Sequence, residues 1–490
     1  MTSRQLRAAL VLAIALLFSY AYYYQAGGWN QNSRFALVRA ILERHTLQID
    51  AYQLHTGDRA IWRGHYYSDK APGTSLLALA PVQAARVVSR WAGIDPGSFP
   101  GIAWTSYVAA VVTSGLFTLI AALCVFGLSL RWGATLAGAL FAATAYGLAS
   151  PAWAYATLFI GHAQAAGCLM TAFAAADALG ARPSKGERRA HQGALAAVVG
   201  VSGGWAVVTE YQAAIPAIFI GLVALNRVRR DNRRDRARVV GAIALGVVIT
   251  AVPLLVYNAL AFDSPFHFGY SSEEGFKELQ TGFFGITYPK PSTIVELLIG
   301  SYRGLLPLSP LMALTPIGLS RLARRGRMAP ALVAGGIGAY YLLLNASYFF
   351  WEGGWFYGPR QLSPSLPFLA LGLAPLWDLT PVRHGLRTVL VGGLIWGVAV
   401  TLVAVSTTPQ PPSSVRAPVR ELLWPAFRDG DLSLNHQTFV HGGADASRLR
   451  GGTLPHAAWN LGEVAGLHGL PSLLPLVTVW LLAGLLLLLL

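Results

Sequence analysis

Two aspartates and a lysine lie in one polar stretch near the start of the chain, residues 27–73. Asp58 follows a Thr-Gly pair that predicts a turn presenting its carboxylate, and Asp69 directly precedes Lys70. A carboxylate can accept a proton from a reacting group, and an ammonium group beside a helix amino terminus favours an anion. Asp58 and Asp69 are therefore candidate catalytic residues, and Lys70 is a candidate phosphate-binding residue. The alternative is a solvated loop in which Asp69 caps a helix and forms an exposed ion pair with Lys70.

Two arginines are candidates for binding the phosphate of a donor. Arg360 lies in the segment WEGGWFYGPRQLSPSLPFL, residues 351–369, and Arg303 lies at the start of an apolar run. A guanidinium group can hold phosphate oxygens through two parallel hydrogen bonds. Arg360 is the leading candidate of the two. The alternative is that these side chains extend to lipid headgroups without binding a substrate.

Five further residues could contact a substrate. His162 lies at the predicted mouth of a membrane span, where a lone histidine more often has a structural role. Glu210 and Tyr211 form a tight turn between two apolar runs, where a charge is costly and usually functional. Glu352 lies among the aromatic residues of the segment that carries the candidate arginine, and Tyr67 belongs to the first polar stretch.

The composition predicts a membrane protein. The chain has 490 residues, of which 54% are hydrophobic and 12% are charged, whereas soluble domains carry roughly 25% charged residues. The net charge of +15 comes largely from short basic loops between apolar runs, residues 182–189, 226–238 and 321–327. This placement follows the positive-inside rule for cytoplasmic loops, so the charge indicates membrane topology and no nucleic-acid partner.

The two cysteines predict no disulfide framework. Cys124 and Cys168 both lie within apolar runs, and neither has histidine or cysteine neighbours at the spacing of a zinc site. The sequence also contains no P-loop, no GxGxxG after a strand, no HExxH and no GxSxG. These absences in the sequence argue against a nucleotide-driven pump and against a serine hydrolase.

About twelve apolar runs approach the length of about 20 residues that a membrane-spanning helix needs. They are residues 5–24, 103–128, 133–150, 162–180, 193–209, 211–226, 239–261, 303–320, 329–348, 361–378, 388–407 and 471–490. The run 72–90 is also apolar, but a span there would move the basic loop 182–189 to the side opposite the amino terminus. We therefore predict that 72–90 is a juxtamembrane helix in the outer interface.

These assignments predict an all-α polytopic membrane protein of about twelve transmembrane helices with both termini in the cytoplasm. A large first extracytoplasmic loop, residues 25–102, carries the juxtamembrane helices. The predicted divisions are a transmembrane core of residues 1–407, an external segment 408–470 that opens with TPQPPS, and a last helix 471–490.

Several phrases resemble those of the GT-C membrane glycosyltransferases, a superfamily that includes the protein O-mannosyltransferases and the lipid A aminoarabinose transferases. A first span is followed by a large external loop with the amphipathic segment SRFALVRAILE, as in that group. The phrase GHYYSDKAPG, residues 64–73, resembles the tyrosine-acid-Lys-Pro-Pro phrase of the aminoarabinose branch. The phrase YGPRQLSPSLPFL, residues 357–369, resembles the Gly-Pro-Arg phrase of many bacterial members.

The resemblance implies a polyprenyl-phosphate sugar donor, a reaction that usually inverts the anomeric centre, and a site facing away from the cytoplasm. It also implies an acidic residue directly after the first span and another in the second external loop. Asn30, Gln31 and Asn32 stand at the first place, and residues 151–161, at the second place, contain no acid. We therefore expect the catalytic carboxylate at Asp58 or Asp69. Either of these could also hold a divalent cation, although nothing in the sequence requires one.

The expected protein is a glycosyltransferase of the bacterial inner membrane, with its active site on the periplasmic or external face and with membrane lipids around it. The acceptor could be a lipid, a glycan or a protein. One alternative is a transporter or flippase of a lipid-linked saccharide, which would need charges within the spans or broken helices at the midplane. A second alternative is a non-catalytic membrane scaffold.

Overall fold

The computed structural model describes residues 1–180, 188–379, 384–440 and 457–490. Most of the basic loop 182–189 and the 441–456 part of the predicted external segment lie outside these residues.

Helices form nearly all of the regular structure in the described residues. In chain order they are α1 Ser3–Ala21, α2 Trp29–Arg44, α3 Gly73–Trp91, α4 Phe99–Ala110, α5 Leu116–Arg131, α6 Leu136–Gly147, α7 Ala152–Ala156, α8 Gly161–Ala178, α9 Arg188–Thr209, α10 Ala214–Arg227, α11 Arg233–Phe262, α12 Pro291–Ile299, α13 Leu305–Leu308, α14 Thr315–Leu322, α15 Met328–Ser347, α16 Leu366–Ala370, α17 Leu373–Trp377, α18 His384–Thr407, α19 Trp424–Asp429, α20 Leu461–Val464 and α21 Leu474–Leu489. The all-α polytopic class is therefore confirmed.

Seven helical stretches in the described part are long and apolar enough to cross a membrane by length and composition. They are Ser3–Ala21, Phe99–Arg131, Ala190–Thr209, Arg233–Phe262, Pro310–Ser347, His384–Thr407 and Leu470–Leu489. The stretch Pro310–Ser347 contains two predicted spans, because the chain turns at Gly326, which has a φ of +82°. Several other predicted spans are shorter helices, among them α6 and α10, so the length criterion supports fewer crossings than the twelve expected.

The first external loop forms two helices that pack on each other, and the second of them, α3, also packs on α9. The predicted amphipathic segment is helix α2, which buries Phe35, Leu37 and Val38. Helix α3 covers the predicted juxtamembrane run and is not among the seven candidate spans of the described residues. A Cβ atom at Gly73, the first residue of α3, would lie 2.7 Å from the Thr209 hydroxyl oxygen. Only a glycine therefore lets the start of α3 approach the end of α9 so closely.

Two small antiparallel ladders accompany the helices. Strands β2 (Ala60–Trp62) and β3 (His65–Tyr67) form a hairpin, while β1 (Tyr23–Tyr24) pairs with β4 (Trp459–Asn460). The hairpin turn consists of Arg63 and Gly64, with φ values of +50° and +84°. Two consecutive residues with positive φ are typical of the type I′ turn that joins tightly paired strands.

The segment after α18 returns to the end of α1. The side-chain amides of Gln410 and Asn435 both donate hydrogen bonds to the carbonyl oxygens of Gln25 and Gly27, at distances of 2.6–3.3 Å. Residues 408–440 are thus packed against the start of the first external loop. The predicted division of the chain at residue 407 remains a prediction, but this segment contributes to the site described next.

Candidate active site

The β2–β3 hairpin brings the three candidate residues of the first loop together. Asp58 lies just before β2, and Asp69 and Lys70 lie just after β3, so the strand pairing places them side by side. The Lys70 Nζ atom is 2.9 Å from Asp58 Oδ2 and 2.6 Å from Asp69 Oδ2. Burial opposes the charged form of Lys70, but the two carboxylates outweigh it and raise the pKa of Lys70 above its ordinary value. The lysine is therefore an ammonium ion held between two carboxylates.

Asp69 is the more enclosed of the two carboxylates. Its side chain is 1% exposed, against 12% for Asp58. The Ser33 hydroxyl donates to Asp69 Oδ1 at 3.1 Å, so both carboxylate oxygens of Asp69 have partners. Burial raises the pKa of Asp69, while the Lys70 ammonium group opposes this rise and the Asp58 carboxylate adds to it.

A cavity of about 420 Å³ opens beside these side chains. The first external loop contributes Asp58, Asp69 and Lys70 to its lining, and the 351–369 segment contributes Arg360. The guanidinium group of Arg360 lies 4.5 Å from the centre of the Phe356 ring. Its Nε atom is buried without a hydrogen-bond partner, and Arg360 forms no ion pair with a carboxylate of the described residues. A stacked guanidinium group facing a cavity with unused donors is suited to binding a phosphate.

Two of the three amides that replace the acid expected after the first span also line this cavity. Asn30 and Gln31 are lining residues. Gln31 Nε2 donates to Gln410 Oε1 at 2.7 Å, and Asn30 Oδ1 accepts from the guanidinium group of Arg34 at 3.2 Å. These amides therefore connect the start of α2 to Gln410 and to Arg34. The carboxylates of the cavity are those of Asp58 and Asp69.

Aromatic rings and amides that the sequence analysis did not select complete the cavity. They include Tyr270, Tyr348, Trp355, Gln410 and Gln437. The loop that carries Tyr270 docks on the hairpin through an isolated β-bridge between Ala60 and Glu273. In the sequence, the high Phe, Tyr and Gly content of the segments 258–310 and 351–369 could have indicated a site there, but it does not show which individual residues line the cavity.

Glu210 and His162 form a separate buried group that does not line the cavity. Glu210 Oε1 accepts from Arg34 at 2.7 Å, and the two side chains are 4% and 1% exposed. The His162 Nδ1 atom lies 3.5 Å from the same carboxylate oxygen without hydrogen-bond geometry. Arg34 also donates to the backbone oxygen of Ala71 at 3.0 Å. Through this hydrogen bond, the buried group stabilises the turn that follows Lys70.

The other four candidates also lie outside the cavity lining. Tyr211 packs edge-to-face on Phe268, with ring centres 4.8 Å apart. Arg303 is fully buried and donates to the backbone oxygens of Glu352 and Gly354, at 3.3 Å and 2.8 Å. The contact of Glu352 with Arg303 is therefore made by the backbone oxygen of Glu352.

Tyr67 belongs to the hairpin and packs on the ring of Phe262, with ring centres 5.3 Å apart. Among the described residues, no three histidine, cysteine or acidic side chains are grouped so as to hold a metal ion. Asp58 and Asp69, either of which could hold a divalent cation, have the Lys70 ammonium group between them in this structure.

No family model and no curated protein matches the sequence. Among solved structures, the chain is similar to ArnT from Cupriavidus metallidurans in the apo state, with a TM-score of 0.50 and 16% identity. That match covers 84% of this chain and 66% of the ArnT chain, so this chain spans about two thirds of its length.

Two further solved structures show weaker similarity. ArnT from the same organism bound to undecaprenyl phosphate has a TM-score of 0.47 at 15% identity, over 86% of this chain and 73% of that one. The Archaeoglobus fulgidus oligosaccharyltransferase in the apo form has a TM-score of 0.48 at 13% identity, over 81% of this chain and 54% of that one. At this identity the apo ArnT match shows the fold alone: this chain has a fold similar to that of ArnT, in agreement with the fold that the short phrases led us to expect.

Proposed function

We propose that this chain is a glycosyltransferase that moves a hexosyl or pentosyl group from a polyprenyl-phosphate-linked donor to a lipid, glycan or protein acceptor. The observation that carries the proposal is one cavity lined by two carboxylates, an ammonium group and an arginine. The GT-C fold agrees with such a reaction. We further propose that the cavity faces the outer side of a bacterial inner membrane, as the loop charges predict.

Arg360 and Lys70 have different roles in this proposal. The phosphate of the donor is a diester with one negative charge, and it leaves as a monoester that carries about −1.5 to −2 at neutral pH. Arg360 has no carboxylate partner among the described residues, so it can bind the donor phosphate before the reaction. Lys70 is already paired with two carboxylates, so its charge becomes available when one of them is neutralised.

The proposed reaction links the proton transfer to this change of charge. The acceptor oxygen attacks the anomeric carbon, the bond from that carbon to the phosphate oxygen breaks, and its electron pair leaves on the phosphate. The acceptor proton passes to Asp58 acting as general base. Asp58 becomes neutral as the phosphate gains charge, so Lys70 can stabilise the leaving group. Attack opposite the leaving group inverts the anomeric centre.

Asp58 suits the role of base better than Asp69. Asp58 Oδ2 pairs with Lys70, while Asp58 Oδ1 has no hydrogen-bond partner in the described part of the chain. The turn in which the Asp58 backbone N–H donates to the Thr56 hydroxyl holds this carboxylate at the cavity. Asp69 has partners on both oxygens, so its proposed role is to hold Lys70. The proposed reaction is written without a divalent cation.

The test is to incubate the purified protein in proteoliposomes with radiolabelled polyprenyl-phosphate hexoses and pentoses and to measure released polyprenyl phosphate. We expect release with at least one donor and strong loss of release in an Arg360→Ala variant. Movement of intact donor between leaflets without release would overturn the proposal in favour of a flippase. Neither release nor movement with any donor would favour the non-catalytic scaffold.

A further inference from the structure

A second cavity adjoins the candidate active site but has a different lining: Tyr302, which lines it, donates a hydrogen bond to the backbone oxygen of Ser413 in the lining of the larger cavity. The second cavity has a volume of about 230 Å³, and its lining includes Tyr302, Leu308, Trp396, Val400 and Arg420. It shares no lining residue with the larger cavity of the described structure. Its lining is mostly apolar and contains one charged side chain, Arg420, so it differs in chemistry from the catalytic cavity.

One lining residue of this groove lies about one leaflet's depth from the end of a long apolar helix. Trp396 and Val400 lie on α18, which ends at Thr407, three residues before the cavity-lining Gln410. At a rise of about 1.5 Å per residue, Trp396 lies about 17 Å along the helix axis from the end of α18. Half of a hydrocarbon core is about 15 Å. The two lengths are similar, so an acyl chain that starts at the end of α18 is long enough to reach Trp396 within one leaflet.

Positive charge lies beside the groove. Arg420 is an exposed lining residue, and its one carboxylate neighbour in the described residues is the exposed Glu421 at 3.5 Å. The exposed Arg416 lies 4.8 Å from the centre of the Tyr302 ring and forms no ion pair with a described carboxylate. Two arginines beside an apolar groove suit a partner that combines an anionic headgroup with an apolar chain.

We propose that this groove binds an anionic glycerophospholipid of the leaflet on the active-site side. One acyl chain lies against Trp396 and Val400, and the phosphate lies between Arg416 and Arg420. This site is separate from the sugar donor, because the groove shares none of the residues that line the catalytic cavity. It therefore stands whether or not the proposed glycosyl transfer is correct.

The experiment measures lipid retained by the purified full-length protein, by native mass spectrometry after exchange into mixed phosphatidylglycerol and phosphatidylcholine. We expect preferential retention of phosphatidylglycerol. A juxtamembrane arginine contributes roughly fivefold to anionic-lipid affinity, so Arg416→Gln with Arg420→Gln should lower the preference by about 20- to 30-fold. Arg428→Gln is the matched control, because Arg428 is exposed in the same segment but does not line the groove.

A second variant fills the groove without changing charge. Val400→Trp should reduce the retained phosphatidylglycerol, whereas Val389→Trp on the same helix should not, because Val389 is 56% exposed and lies outside the groove lining. Unchanged retention in both the double arginine variant and Val400→Trp would overturn the proposal. Displacement of the lipid by polyprenyl phosphate at equal concentration would also overturn it, since the groove would then belong to the donor site.

Discussion

Asp58→Asn and Asp69→Asn remove the same charge from the same ion pair with Lys70, yet we expect different results from them. Both carboxylates contact the Lys70 ammonium group, at 2.9 Å and 2.6 Å. Asp58 keeps one oxygen free at the cavity, while Asp69 is enclosed by Ser33 and Lys70. Comparing the two substitutions therefore distinguishes an effect on turnover from an effect on the stability of the fold.

For Asp58→Asn we expect a fall in turnover of about 10²- to 10⁴-fold, the usual effect of losing a general base. The fold should be little affected, because Lys70 retains Asp69 as its partner. For Asp69→Asn, a charged hydrogen-bond acceptor is lost, which costs roughly 1.5–3 kcal/mol. Burial already penalises the ionised form of Asp69 and raises its pKa, so the net loss should lie at the lower end of this range.

The assay pairs release of polyprenyl phosphate with thermal unfolding of the same detergent-solubilised samples. Asp50→Asn is the control, because Asp50 pairs with His65 and the Tyr66 backbone N–H away from the cavity. We expect that variant to keep most of its turnover. Near-normal turnover in Asp58→Asn, with wild-type unfolding behaviour, would refute the assignment of Asp58 as the base. Loss of turnover in Asp69→Asn alone would transfer that role to Asp69.

Three further outcomes test other parts of the structure. Arg360→Lys keeps the charge but loses the two-pronged donor, so donor binding should weaken by roughly 1.5–3 kcal/mol, and unchanged affinity in a binding titration would leave Arg360 as a headgroup anchor. Glu210→Gln leaves the buried Arg34 guanidinium group without a countercharge, so the unfolding midpoint should fall by an amount reflecting about 3–5 kcal/mol; an unchanged midpoint would contradict this. Cysteines placed at the exposed positions Gln83 and Arg90 should both react with an impermeant external thiol reagent, and cytoplasmic labelling of either would show that α3 crosses the membrane.

The long helices could be predicted from the sequence because hydropathy acts locally along the chain. The runs at α1, α11 and α18 are apolar over most of their length, so their helical state follows from residues close in sequence. The fold class was predicted for the same reason. The predicted span 133–150 forms a shorter helix, α6, most of whose residues are buried.

The hairpin was missed although its signal was present. Three-residue segments rich in aromatic and β-branched residues flank the pair Arg63-Gly64, and a two-residue loop ending in glycine is typical of a β-hairpin. That hairpin sets the distance between Asp58 and Lys70. The contribution of Gln410 could not be predicted, because it depends on the return of residues 408–440 to the end of α1, and no local pattern encodes such a long-range contact.

The hydrogen bonds of Gln410 explain why the start of α2 carries an amide where the resemblance implies an acid. Gln410 Nε2 donates to the backbone oxygens of Gln25 and Gly27, which fixes its Oε1 atom toward Gln31. A hydrogen-bond donor is therefore required at position 31, because a carboxylate there would face the side-chain oxygen Oε1 of Gln410 at about hydrogen-bond distance. Rotating the Gln410 amide to relieve this contact would remove one of the two donors from each of these backbone oxygens, leaving Asn435 as the remaining donor. The packing of the 408–440 segment thus accounts for an amide at position 31, and the proposed base, Asp58, comes from the β2–β3 hairpin instead.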